Sequence, residues 1–81
     1  MIRLTVKLFA GLKPYAPVEG LPGTPFEIGL PDACTLQDVV THLKLPEEEV
    51  KISFVNGIIQ EMDYVLKSGD EIGIFPPVGG G

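Results

Sequence analysis

A chain of 81 residues, 44% of them apolar, is one domain near the lower size limit for an unstapled core, and disorder is not its default. Its one cysteine, Cys34, excludes an internal disulfide and any multi-cysteine metal or iron–sulfur site, and a free thiol fits a reducing cytosol. A net charge of −5, with six scattered basic residues, argues against a nucleic-acid surface and suits a partner with a basic docking face.

No apolar run reaches the roughly 18–20 residues of a membrane span, and the N-terminus lacks a signal-peptide pattern, so a cytoplasmic location is expected. Ile2, Leu4, Val6 and Leu8 alternate with Arg3, Thr5 and Lys7, which predicts a half-buried strand over residues 2–9. From Ala10 to Pro25 four prolines and three glycines predict a long irregular loop, with Leu12, Tyr15, Val18 and Leu21 available to pin it. Phe26, Ile28 and Leu30 alternate against Glu27 and Gly29 as a second strand. Thr35 opens a helix, with Asp38 placed as the acid of a capping box. Leu36, Val39, Val40 and Leu43 form its apolar stripe, Pro46 ends it, and Glu47 to Glu49 read as a solvated turn.

Lys51 to Val55 is a third strand, with Ile52 and Phe54 alternating against Lys51 and Ser53. Asn56-Gly57 is a two-residue hairpin turn, since type I′ needs positive φ twice, and Ile58 to Gln60 returns as a short strand. After Tyr64, Val65 and Leu66, a Ser68-Gly69-Asp70 turn leads into the final strand, Glu71 to Phe75. Strands in this order around a single helix predict an α+β pair of layers, one mixed sheet covered by one helix.

The folded body offers little chemistry. His42 falls about 110° from the centre of the helix stripe at about 100° per residue, which reads as a solvent-facing side chain. Cys34 precedes the helix cap, where a thiolate gains from the helix dipole, yet a small buried residue is the simpler reading. Asp63, Asp70 and Glu71 belong to turns, and the glycines match no nucleotide-binding pattern. Neither a metal site nor a self-contained active site is expected.

The last six residues, Pro76-Pro77-Val78-Gly79-Gly80-Gly81, are different. Two prolines remove two backbone donors in succession, and the glycines add no side chains. Six extended residues reach about 20 Å at about 3.3–3.6 Å each, enough to enter another protein's active site. A glycine end alone is most simply a frayed terminus or an expression scar. Strand, diproline, small apolar residue and terminal glycines in one run point further. A carboxylate esterified to AMP is open to a sulfur or amine nucleophile, and a terminus without Cβ atoms leaves the line of attack clear.

The segment from Asp70 to Gly81 resembles the C-terminus of the sulfur-carrier proteins typified by the small subunit of molybdopterin synthase. Lys7 to Leu12, Phe54 to Gly57 and Asp63 to Asp70 resemble that family's first strand, hairpin and closing turn. The resemblance implies a β-grasp, ubiquitin-like fold: a mixed sheet of about five strands over one main helix, first and last strands parallel at its centre. It implies a β-grasp domain over residues 1–75 and a flexible, extended tail over 76–81. Gly81 would be adenylated from ATP by an E1-like enzyme and converted to a thiocarboxylate by a sulfur donor protein. Phe75, Pro76, Pro77, Val78, Gly79 and Gly80 would contact the larger synthase subunit that receives the tail. Adenylate and thiocarboxylate are then transient modifications, with no permanent cofactor and no nucleic-acid or membrane partner. The same ending also suits a thiamin-type carrier, a ubiquitin-like modifier joined through Gly81 to a lysine amine, or an interaction module that is never activated.

Overall fold

In the computed structural model, which describes residues 1–16 and 24–77, five strands form one sheet in the order β2-β1-β5-β3-β4. β1 (Ile2–Leu8) lies parallel to β5 (Glu71–Phe75), with Val6 opposite Ile72 and Leu8 opposite Ile74. β2 (Phe26–Leu30) pairs with β1, and β3 (Ile52–Val55) with both β5 and β4 (Ile58–Ile59), all antiparallel. One α-helix, α1 (Leu36–His42), completes the expected β-grasp. Val18, Leu21 and Val78 to Gly81 lie outside the described residues.

Period-two alternation does most of the building. Leu4, Val6 and Leu8 of β1 and Ile72 and Ile74 of β5 are buried on one face, joined there by Leu36, Val39 and Val40 of α1. The helix begins as expected: Thr35 Oγ1 accepts from the Asp38 amide at 3.3 Å, and Asp38 Oδ2 accepts from the Thr35 amide at 2.9 Å. Remaining donors of the first turn are satisfied from outside, with the Leu36 and Gln37 amides donating to the Tyr64 and Met62 carbonyls. At the other end Lys44 takes φ 58°, its amide bonding to Thr41 and that of Leu45 to Val40. That is the paired arrangement that closes helices in the left-handed conformation, with lysine where glycine is usual. Glu47–Glu49 form one exposed 3-10 turn.

Two segments differ from the sequence reading. Ala10–Tyr15 is a 3-10 helix, not irregular loop. Burial of Leu12 anchors it, Ala10 turns into it at φ 51°, and its short-range bonds tolerate Pro14. Tyr15 is 38% exposed and does not join the buried core. In β3 the buried residues are Ser53 and Val55, while Ile52 and Phe54 face the other side. Register decides this: Ser53 sits opposite Ile74 and Val55 opposite Ile72, so β5 dictates which phase of β3 meets the helix.

Candidate functional site

The central strand β5 carries the chain toward its end, and its last residues are tied on both sides. The Phe9 amide donates to the Ile74 carbonyl at 3.2 Å, and the Lys51 amide donates to the Phe75 carbonyl at 2.9 Å. Pro76 and Pro77 have no amide to continue either ladder, so pairing stops at Phe75. The end of β5 is therefore tied to Phe9, just past β1, and to Lys51, just before β3, and both ladders stop at the diproline.

Around that root the helix-free face of the sheet is aromatic. The Phe9 and Phe75 rings stack at 3.9 Å with 8° between planes, and Phe54 meets Phe75 edge-on at 5.4 Å. The Lys7 ammonium lies 5.0 Å from the Phe9 ring centre. Gly73 makes room for the stack, since a Cβ there would come within 3.3 Å of Phe9 Cε2. Together they line a shallow hollow of about 400 Å³, open to solvent. Pairing of Ile52 with Phe75 and of Ile59 with Phe54 extends this apolar face toward β4, where Ile59 is 60% exposed.

A polar clasp fixes the start of β5. Asp70 is 9% exposed; its carboxylate accepts from the Lys67 amide at 2.8 Å and from Asn56 Nδ2 at 3.0 Å. Asn56 Oδ1 accepts from the Glu71 amide at 2.9 Å, while its own amide donates to the Glu71 carbonyl at 2.7 Å. The hairpin turn, with Asn56 at φ 52° and Gly57 at φ 84°, is thus bolted to the strand that bears the tail.

The sequence profile of the ThiS family matches residues 6–81. The chain belongs to the ThiS family. Among solved structures, a protein described as molybdopterin converting factor subunit 1 from Pyrococcus furiosus is 30% identical, with TM-score 0.73, covering 96% of this chain and 100% of its own. Small archaeal modifier protein 1 from Haloferax volcanii, 21% identical, shares the fold at TM-score 0.75 over 96% of this chain and 100% of its own. A chain from the complex of subunits 1 and 2 of the molybdopterin-converting factor from Helicobacter pylori 26695 is 24% identical with TM-score 0.62, covering 99% of this chain and 100% of its own. No curated protein matches the sequence closely.

In this ThiS-family chain Phe75 and Pro76 are half-buried at the tail root and Pro77 is exposed, while Val78, Gly79, Gly80 and Gly81 lie outside the described residues. Cys34 is buried, and desolvation, reinforced by the Asp38 charge, pushes its thiol above the ordinary value, so it is a poor nucleophile. His42 is exposed at a shallow hollow that it shares with Cys34, away from β5. Among the described residues no group of side chains is arranged to hold a metal ion, and no helix is long and apolar enough to cross a membrane. Phe9 and Phe54 escaped the sequence reading. Their signal was phase: Phe9 continues the series Arg3, Thr5, Lys7 on the polar side of β1.

Proposed function

We propose that this ThiS-family chain is a sulfur carrier for the assembly of a pterin-type molybdenum or tungsten cofactor, with Gly81 as the residue that bears the sulfur. The supporting observation is the tail root. A central strand clamped from both sides ends at Phe75, and the next residues are Pro76, Pro77 and the small-residue ending. On this reading the Gly81 carboxylate attacks the α-phosphorus of ATP in an E1-like enzyme and displaces pyrophosphate. A persulfide on a donor protein then attacks the acyl carbon through its outer sulfur, and AMP departs with the bonding electrons. A second thiol of the donor attacks the inner sulfur, breaks the S–S bond and releases the Gly81 thiocarboxylate, leaving a disulfide on the donor. The thiocarboxylate presents sulfur as a soft nucleophile at the end of a tether. The body supplies none of this chemistry. It supplies the aromatic face of Phe9, Phe54 and Phe75, on which the activating enzyme and then a larger synthase subunit dock while the tail enters the active site. The second subunit in the Helicobacter pylori complex supports a partner of that kind.

ATP–pyrophosphate exchange by the E1-like enzyme tests the reading. Exchange that needs this chain and vanishes when Gly81 is deleted is expected. Absence of exchange with an active enzyme would leave a plain interaction module, and covalent ladders on other proteins would shift the assignment to a modifier.

A further inference from the structure

A second concavity, a groove of about 540 Å³, lies on the helix side of the sheet between α1 and the β3–β4 hairpin. One lip is Lys51, whose amide holds the Phe75 carbonyl, so the groove adjoins the tail root on the face opposite the aromatic patch. Val40, Val50 and Met62 give it apolar walls. The Met62 side is fixed by the Gln37 amide, which donates to the Met62 carbonyl at 2.9 Å.

Ser53, one of its lining residues, carries an unusual group. Ser53 is 2% exposed and shares the helix-side phase of β3 with Val55, so its hydroxyl points into the layer where the groove lies. Among the described residues Ser53 Oγ has no hydrogen-bond partner. Leaving a buried hydroxyl unmade is costly, and a native position normally has a use for it. The remaining polar lining is rich in acceptors. Glu47 is held by Gln37 Nε2 at 2.9 Å, and Glu61 and Gln60 stand on the hairpin side. Lys51 is the cation among the lining residues, against two carboxylates in the groove and Glu48 and Glu49 in the adjoining turn.

We propose that this groove is a second docking site and takes an arginine or lysine side chain from an amphipathic segment of the partner. The apolar walls match the methylene stem of such a side chain, and the carboxylates of Glu47 and Glu61 accept from its charged head. Ser53 Oγ, closed off in the free chain, accepts from it once the Ser53 side chain turns toward the groove. The carrier is then gripped on both faces beside the point where its tail leaves. The identity of the partner as the protein that receives the tail rests on the carrier reading; the groove and its preference for a cation do not.

The test uses the isotope-labelled chain alone, titrated with the acetylated peptide Ala-Leu-Arg-Leu-Ala amide and with its neutral citrulline counterpart, and read by amide chemical shifts. Saturable shifts confined to residues around Ser53, Gln60 and Gln37 are expected from the arginine peptide, with citrulline about tenfold weaker. Glu47→Gln should weaken the arginine peptide to a similar degree. Ser53→Ala should also weaken it while leaving the free chain as stable as before or more so, because it removes a buried hydroxyl without a partner. Shifts spread over all surface acids, equal binding of citrulline, or unchanged binding by either variant would overturn the proposal. So would a Ser53→Ala chain that melts lower, since the hydroxyl would then already be satisfied. No activating enzyme is present, so failure here leaves the carrier reading standing, and failure of that reading leaves this result intact.

Discussion

The Phe9 ring lies flat against the Phe75 ring at 3.9 Å, joining the residue just after the first strand to the last residue of the final one. Between them they mark where the sheet ends, directly before Pro76 and Pro77. Phe9→Ala removes the stack but no core residue, so stability should fall by only about 1 kcal/mol. Affinity for the activating enzyme should fall by about 2 kcal/mol or more, as expected for an aromatic anchor. Urea unfolding and titration calorimetry on the same variant measure the two losses separately.

Gly73 leaves that face little room for a side chain. An alanine Cβ would press on Phe9 at 3.3 Å, and the ring must move or the strand must shift. Gly73→Ala is expected to cost about 1–2 kcal/mol despite alanine's better fit to a strand. Altered ring-proton shifts of Phe9 and Phe75 would locate the cause.

Asp70 receives two donors, one from the hairpin turn and one from the loop before β5. Asp70→Ala removes the acceptor of the Lys67 amide and of Asn56 Nδ2, and should destabilise by about 1–2 kcal/mol. Amide exchange should quicken first in the hairpin and at the start of β5, the two elements that the clasp joins.

Cys34 predicts a pH effect. Its thiol is held above the ordinary value of 9.0 in the folded chain, chiefly by desolvation, so folding favours the neutral form. The unfolded chain loses that proton at lower pH than the folded one, and stability falls as the unfolded state comes to bind fewer protons. The contribution is whole below the unfolded value and disappears as pH rises through the higher folded value. Urea midpoints measured from about pH 7 to about pH 10 should drop more steeply for the native chain than for Cys34→Ala.

Lys44 pays for its place after α1 with a left-handed backbone. Lys44→Gly should raise stability by about 1 kcal/mol without touching either face of the sheet. Thermal unfolding checks this directly.

How far the sequence could be read depended on the range of the interaction. Local signals were legible: the Thr35–Asp38 capping box, the Asn56-Gly57 turn and the period of β1 each sit within a few residues. The phase of β3 was not. Ile52-Ser53-Phe54-Val55 is apolar on both sides apart from one serine, so hydrophobicity could not choose between faces, and only pairing with Ile72 and Ile74 settles it. Asp70 looked like an ordinary turn residue because its partner Asn56 is fourteen positions away. The short helix at Ala10–Tyr15 was hidden by proline, whose cost in a helix of short-range bonds is offset by burying Leu12. The aromatic face needed all three things at once, since Phe9, Phe54 and Phe75 come from three different strands or their ends.

Intact mass bears most directly on the proposal that the body merely presents an end charged by another protein. The full chain is incubated with its E1-like enzyme, ATP and sulfur donor, then fragmented to place any change. Replacement of one oxygen by sulfur at Gly81 is expected, with none in a chain lacking Gly81 that melts at the same temperature. An unchanged mass beside an enzyme proven active, or sulfur carried on Cys34 instead, would contradict it.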